Sequence, residues 1–159
     1  MMIDGITLAR AVHVLAIVHW IGGLSVVTTI VLPRARRMTD AAAAVETFEA
    51  FERRFAPQAR VSIALAGLSG LYMLYGLDAW DRFREPSFWW LHLMVCVWLL
   101  FAAVVYVLEP LFLHNRFRRM ALDDPRKTLN IGSRFHAFAL AVSALAVGAG
   151  VLGAHGAIP

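Results

Sequence analysis

Four stretches of this chain contain no Asp, Glu, Lys or Arg: Ala11–Leu32, Val61–Leu77, Phe88–Leu108 and Phe135–Pro159. A helix needs about 20 apolar residues to cross a bilayer core, and about 17–25 is the usual range. All four stretches reach it, Val61–Leu77 being the shortest. In lipid, only helices and closed barrels satisfy their own backbone groups. The two-residue alternation of barrel strands is absent. The expected fold is therefore all-α: an integral membrane, antiparallel four-helix bundle. It forms one four-span domain over residues 1–159, with spans at about 11–32, 61–77, 88–108 and 135–155.

Composition agrees. The chain is 60% hydrophobic and 16% charged, and its mean hydropathy is +0.65. A soluble domain carries roughly 25% charged residues and 45–50% apolar ones. That excludes a large soluble enzyme domain, and the single cysteine excludes a disulfide scaffold. The first stretch is longer than a leader's apolar region, lacks a small-residue cleavage site and holds two histidines, so it is expected to be mature structure.

Charge sets the orientation. Arg34, Arg36, Arg37, Arg53, Arg54 and Arg60 lie between the first two stretches. Arg116, Arg118, Arg119, Arg126, Lys127 and Arg134 lie between the last two. The middle connection has only Arg82 and Arg84 against Asp78, Asp81 and Glu85. The positive-inside rule places both basic loops in the cytoplasm and both termini outside. The basic excess, with a pI near 10.0, follows from topology and contact with anionic lipid. Nucleic acid is not expected as a partner, because the arginines flank spans and make no separate basic fold.

The connections also carry pattern. Ala44, Phe48, Phe51 and Phe55 recur at helical spacing among Glu and Arg, which predicts an amphipathic helix at the inner surface or extending the second span. Pro57 then marks a kink or restart. Asp124-Pro125 reads as a helix N-cap and first position. Trp80, Phe83, Phe88, Trp89 and Trp90 form an aromatic belt. Gly67, Gly70 and Gly76, with Gly148, Gly150 and Gly153, suit close helix packing. A porphyrin face laid against glycine is a second use for them.

Six histidines are the features closest to chemistry. Ionisable residues in hydrocarbon are costly and usually functional. His13 and His92 begin their spans from the same side, roughly 3 and 6 Å in, so they can share a level. Two imidazoles at one depth on facing helices suit a bis-histidine b-type haem. No Cys-x-x-Cys-His occurs, which excludes covalent attachment. His19 lies deeper and on another face of its helix. With His136 it offers a second site, though their depths match poorly. His114 and His155 lie near span ends. Copper is the rival: His92 and Cys96 share a helix face, and Met94 supplies a thioether. Glu109 closes the third span as an interfacial acid within reach of Arg116 or Arg134. No phosphate loop, dinucleotide fingerprint or HExxH is present.

The residues AVHVLAIVHWIGGL followed by VLPRAR resemble the HemJ-type protoporphyrinogen oxidases and, more loosely, the CopD-like membrane domains of copper resistance. FERRFAPQARVSIALAGLSGLYML and WWLHLM are similar to the second and third helices of the HemJ type. The resemblance covers most of the chain and implies a four-helix haem-b protein of a bacterial inner membrane, with His13 and His92 at the family's histidines. Two positions depart from it. Met94 stands where the family has Lys, and Phe135-His136 where it has Asn-Glu. Those polar residues belong to porphyrinogen oxidation, so the expected function is one-electron transfer within the membrane. The haem would exchange electrons with a quinone or a periplasmic redox partner, and a homo-oligomer is open. Porphyrinogen oxidation and copper transport are the alternatives.

Overall fold

The structure is a computed structural model that describes residues 4–158, with side chains at all of these but 112–115. Among the described residues every regular element is helical and no strand occurs. Pro159, at the end of the last apolar stretch, and the side chain of His114 lie outside the described residues.

Helix α1 runs Gly5–Arg37. Asp4 caps it, its carboxylate accepting from the Ile6 amide at 3.3 Å. The helix widens to π turns over Val27–Val31 before closing as Leu32–Arg37. Pro33 accounts for the change: it has no N–H, and its ring crowds the carbonyl four residues back, which a wider turn accommodates. Thr28 and Thr29 donate to the Leu24 and Ser25 carbonyls at 2.6 and 2.7 Å.

Helix α2, Ala41–Gly76, is 36 residues long, about 54 Å at 1.5 Å per residue. Asp40 caps it through the Ala42 and Ala43 amides at 2.9 and 3.2 Å. The amphipathic segment and the second apolar stretch are thus one helix that passes through Pro57 without a restart. Gln58 helps, its side-chain amide donating to the Arg54 carbonyl beside the break at 2.8 Å.

Two short 3₁₀ turns, Trp80–Arg84 and Pro86–Phe88, lead into α3. This helix runs Trp89–Ala102 and continues as a π-helical segment, Ala103–Leu113, around Pro110. Helix α4 is His114–Asp123 and α5 is Pro125–Ala154. Asp124 caps α5 as expected, accepting from the Lys127 amide at 2.9 Å.

Among the described residues three helical segments are long and apolar enough to cross a membrane: Gly5–Arg37, Pro86–Leu111 and Pro125–Ala154. The stretch 61–77 is the C-terminal part of α2, whose other half is charged. Within the most apolar windows only 22, 17 and 28% of residues are buried. Surfaces that greasy need an apolar neighbour, so the chain is a membrane protein in contact with lipid.

The long helices run antiparallel in neighbouring pairs. Ile6 lies beside Gly76, His13 beside Gly70 and Phe55 beside Gly23 across α1 and α2. Trp90 lies on Gly153 and Met94 on Gly150 across α3 and α5. Trp98 of α3 lies on Gly67 of α2 and donates to the Ile63 carbonyl at 2.8 Å. Any Cβ at Gly67 or Gly153 would enter an indole ring. The small residues therefore receive large side chains from the facing helix. The core joins Trp20, edge-on to Phe101 with centroids 4.5 Å apart, to Leu24, Val27, Ile63 and Val97. It continues through Leu32, Ala35, Ala44, Phe48 and Leu129 at the basic end.

Candidate functional site

His13 sits on α1 where α2 presents Ala66, Ser69 and Gly70. Its Nδ1 is 2.8 Å from the Ala66 carbonyl and 3.1 Å from the Ser69 hydroxyl oxygen. A carbonyl only accepts, so Nδ1 carries the proton and Nε2 of the neutral ring keeps its lone pair. Ser69 donates onward to backbone carbonyls of its own helix, so its oxygen accepts from His13. A Cβ at Gly70 would stand 3.3 Å from the imidazole Cε1, so the ring is held closely on that side. Among the described residues no hydrogen bond engages Nε2. Metal-binding histidines are commonly fixed in this way, with the far nitrogen donating to a carbonyl.

The ring lies on the wall of a cavity of about 470 Å³. The four long helices all line it: His13 and Trp20 from α1, Gly67 and Gly70 from α2, Met94 and Trp98 from α3, Ser143 and Ala146 from α5. Trp80, Arg82 and Phe83 form its wall at the 3₁₀ connection. Cofactor and ligand sites are mostly apolar clefts of about 300–1,000 Å³ with a few placed polar groups. This cavity has that character.

Ser143 is one of those groups. It is fully buried, and its Oγ is the one buried side-chain polar atom without a hydrogen-bond partner among the described residues. Helical hydroxyls usually fold back onto the carbonyl four residues earlier. Thr28, Thr47 and Thr128 do so, reaching Leu24, Ala43 and Asp124. Ser143 does not.

The other expected site residues lie elsewhere. His92 is half-buried at the start of α3 and is not on the cavity wall. Its Nδ1 is 3.2 Å from the Phe88 carbonyl and its Nε2 is 3.1 Å from the Phe83 carbonyl. A neutral imidazole has one N–H, so it bonds one carbonyl at a time and ties the 3₁₀ connection to α3. His19 is exposed on α1, with its ring 6.0 Å from that of Phe55. His136 bridges α5 to α2: Nδ1 is 2.8 Å from the Gly132 carbonyl and Nε2 is 3.5 Å from Glu52 Oε1. No contact joins His19 to His136. Cys96 is exposed, while Met94 packs on Gly150. His155 is exposed at the end of α5. Glu109 pairs with Arg60 at 3.3 Å, not with Arg116 or Arg134. Among the described residues no three His, Cys, Asp or Glu side chains converge as a metal-binding group.

Ala66, Ser69 and Ser143 had no sequence signal of their own. Each is a small residue in an apolar stretch, and only the helix register gives it a neighbour. No family, curated protein or solved structure matches the chain.

Proposed function

We propose that the chain is a four-span, antiparallel bundle of a bacterial inner membrane, with both termini outside, that holds haem b and carries single electrons. One observation carries the reading: His13, its Nδ1 fixed on the Ala66 carbonyl, lines an apolar cavity to which all four long helices contribute. The arginine distribution supports the orientation. The fourth span in this reading is 61–77, the apolar end of α2, which packs along both α1 and α3.

The donor set fits the group. His13 offers an oriented imidazole nitrogen. Gly67 and Gly70 let the Trp98 indole and the His13 ring sit closely on α2, and Trp98 and Trp20 add apolar lining. Arg82 at the cavity edge suits a carboxylate substituent. Bound haem supplies a one-electron couple. The chain's contribution is to orient the ligand through Ala66 and Ser69, exclude water, and set the potential through an apolar shell. A single haem per chain is proposed, because His19 and His136 do not face one another. A quinone or a periplasmic carrier is the proposed partner.

The test is a reduced-minus-oxidised visible spectrum of the detergent-purified protein, with haem counted per chain. One b-type haem per chain, lost in His13→Ala and kept in His19→Ala, is the expected result. A colourless protein made with ample haem would sink the proposal.

A further inference from the structure

We infer that the haem has a single protein ligand, His13, and an open face that takes a small neutral diatomic molecule beside the Ser143 hydroxyl. This rests on the haem reading above and deepens it. Two observations carry it. The first is the count of imidazoles at the cavity. His13 is the one histidine on its wall, while both His92 nitrogens lie within 3.2 Å of backbone carbonyls. Recruiting His92, which is absent from that wall, would pull its ring from the Phe83 carbonyl through which it ties the 3₁₀ connection to α3.

The second observation is Ser143. Ser143 belongs to the lining of the same cavity, and its fully buried hydroxyl has no hydrogen-bond partner among the described residues. An orphaned polar atom in apolar surroundings is unfavourable unless something else satisfies it. A porphyrin's apolar edge cannot do so. A small ligand with an acceptor atom, held on the iron face away from His13, can. Donors and steric access on that face decide whether a haem binds such ligands or only passes electrons. Met73 and Met94 also line the cavity, and their thioethers are the competing occupants of the open position.

Carbon monoxide is the probe, added to dithionite-reduced, haem-loaded protein. The expected ferrous spectrum is high-spin and converts to a stable carbonyl form in proportion to the haem. Ser143→Ala should shift the bound C–O stretch to higher wavenumber and speed release about fivefold, the worth of one ordinary hydrogen bond. Ser143→Thr, which keeps the hydroxyl, should restore both. A low-spin ferrous spectrum that carbon monoxide leaves unchanged overturns the inference. If Met94→Leu then becomes high-spin, the thioether is identified as the second ligand. Carbon monoxide binding with no change in Ser143→Ala overturns the role of Ser143. Protein without haem refutes the underlying proposal instead, so the two failures are distinguishable.

Discussion

Replacing Ser143 by alanine should make the haem-free protein more stable, although most buried substitutions do the reverse. The hydroxyl is completely buried and unpartnered. A buried polar group left without a hydrogen bond costs about 1–3 kcal/mol. Losing one oxygen's worth of packing returns part of that, at about 1 kcal/mol for a methyl-sized gap. The net gain is therefore about 0–2 kcal/mol, centred near 1. For a chain of this size each kcal/mol moves the midpoint by about 2–4 °C, so a rise of about 2–4 °C is expected at the centre of that range. The assay is thermal unfolding followed by helical circular dichroism, on detergent-purified protein prepared without haem. Ser69→Ala is the opposing control: its hydroxyl accepts from His13 and donates to its own helix, so its loss should lower the midpoint. A lowered midpoint in Ser143→Ala would mean that the hydroxyl is already satisfied, for instance by the Ala139 carbonyl. It would then have nothing to offer a ligand.

Three further outcomes follow from the packing and the charges. Gly67→Leu drives a side chain into the Trp98 indole and should cost about 1–3 kcal/mol or more, read as a lower unfolding midpoint and loss of bound haem. The Arg60–Glu109 pair is partly exposed, at 41 and 34% for its side chains, so a double-mutant cycle with Arg60→Gln and Glu109→Gln should return a coupling of less than about 1 kcal/mol; a larger value would mean that the pair is desolvated in the membrane. In a Cys96→Ser background, a cysteine at Asp81 should react with an impermeant maleimide in intact cells, and one at Arg119 only after permeabilisation; the reverse pattern would invert the proposed topology.

The apolar lengths were enough to anticipate an all-helical membrane chain, because hydrocarbon leaves the backbone few choices. Caps were equally legible: Asp124-Pro125 opens α5 in the structure as in the sequence. Pro57 does not restart the helix, which runs through it from Ala41 to Gly76, and the Gln58 side chain donates to the neighbouring Arg54 carbonyl. Pro33 and Pro110 are accommodated differently, each within or beside π turns, and no periodicity argument on side chains foretells that widening.

The site divides along the same line. A histidine inside an apolar stretch is visible in any reading, and depth counted at 1.5 Å per residue put His13 and His92 at one level. Depth leaves out azimuth. What separates the two rings is which way each faces and which carbonyl it meets. His13 meets Ala66 on a neighbouring helix, so one nitrogen is fixed and the other is left without a protein partner. His92 meets Phe83, near the end of the 3₁₀ turn before α3, and Phe88, whose carbonyl lies four residues back along its own helix. His92, His136 and His155 each reach the carbonyl four residues back in their own helix, whereas His13 is held by a carbonyl of the facing helix. That distinction depends on helix rotation and turn geometry, and it leaves one histidine at the cavity where depth alone suggests two.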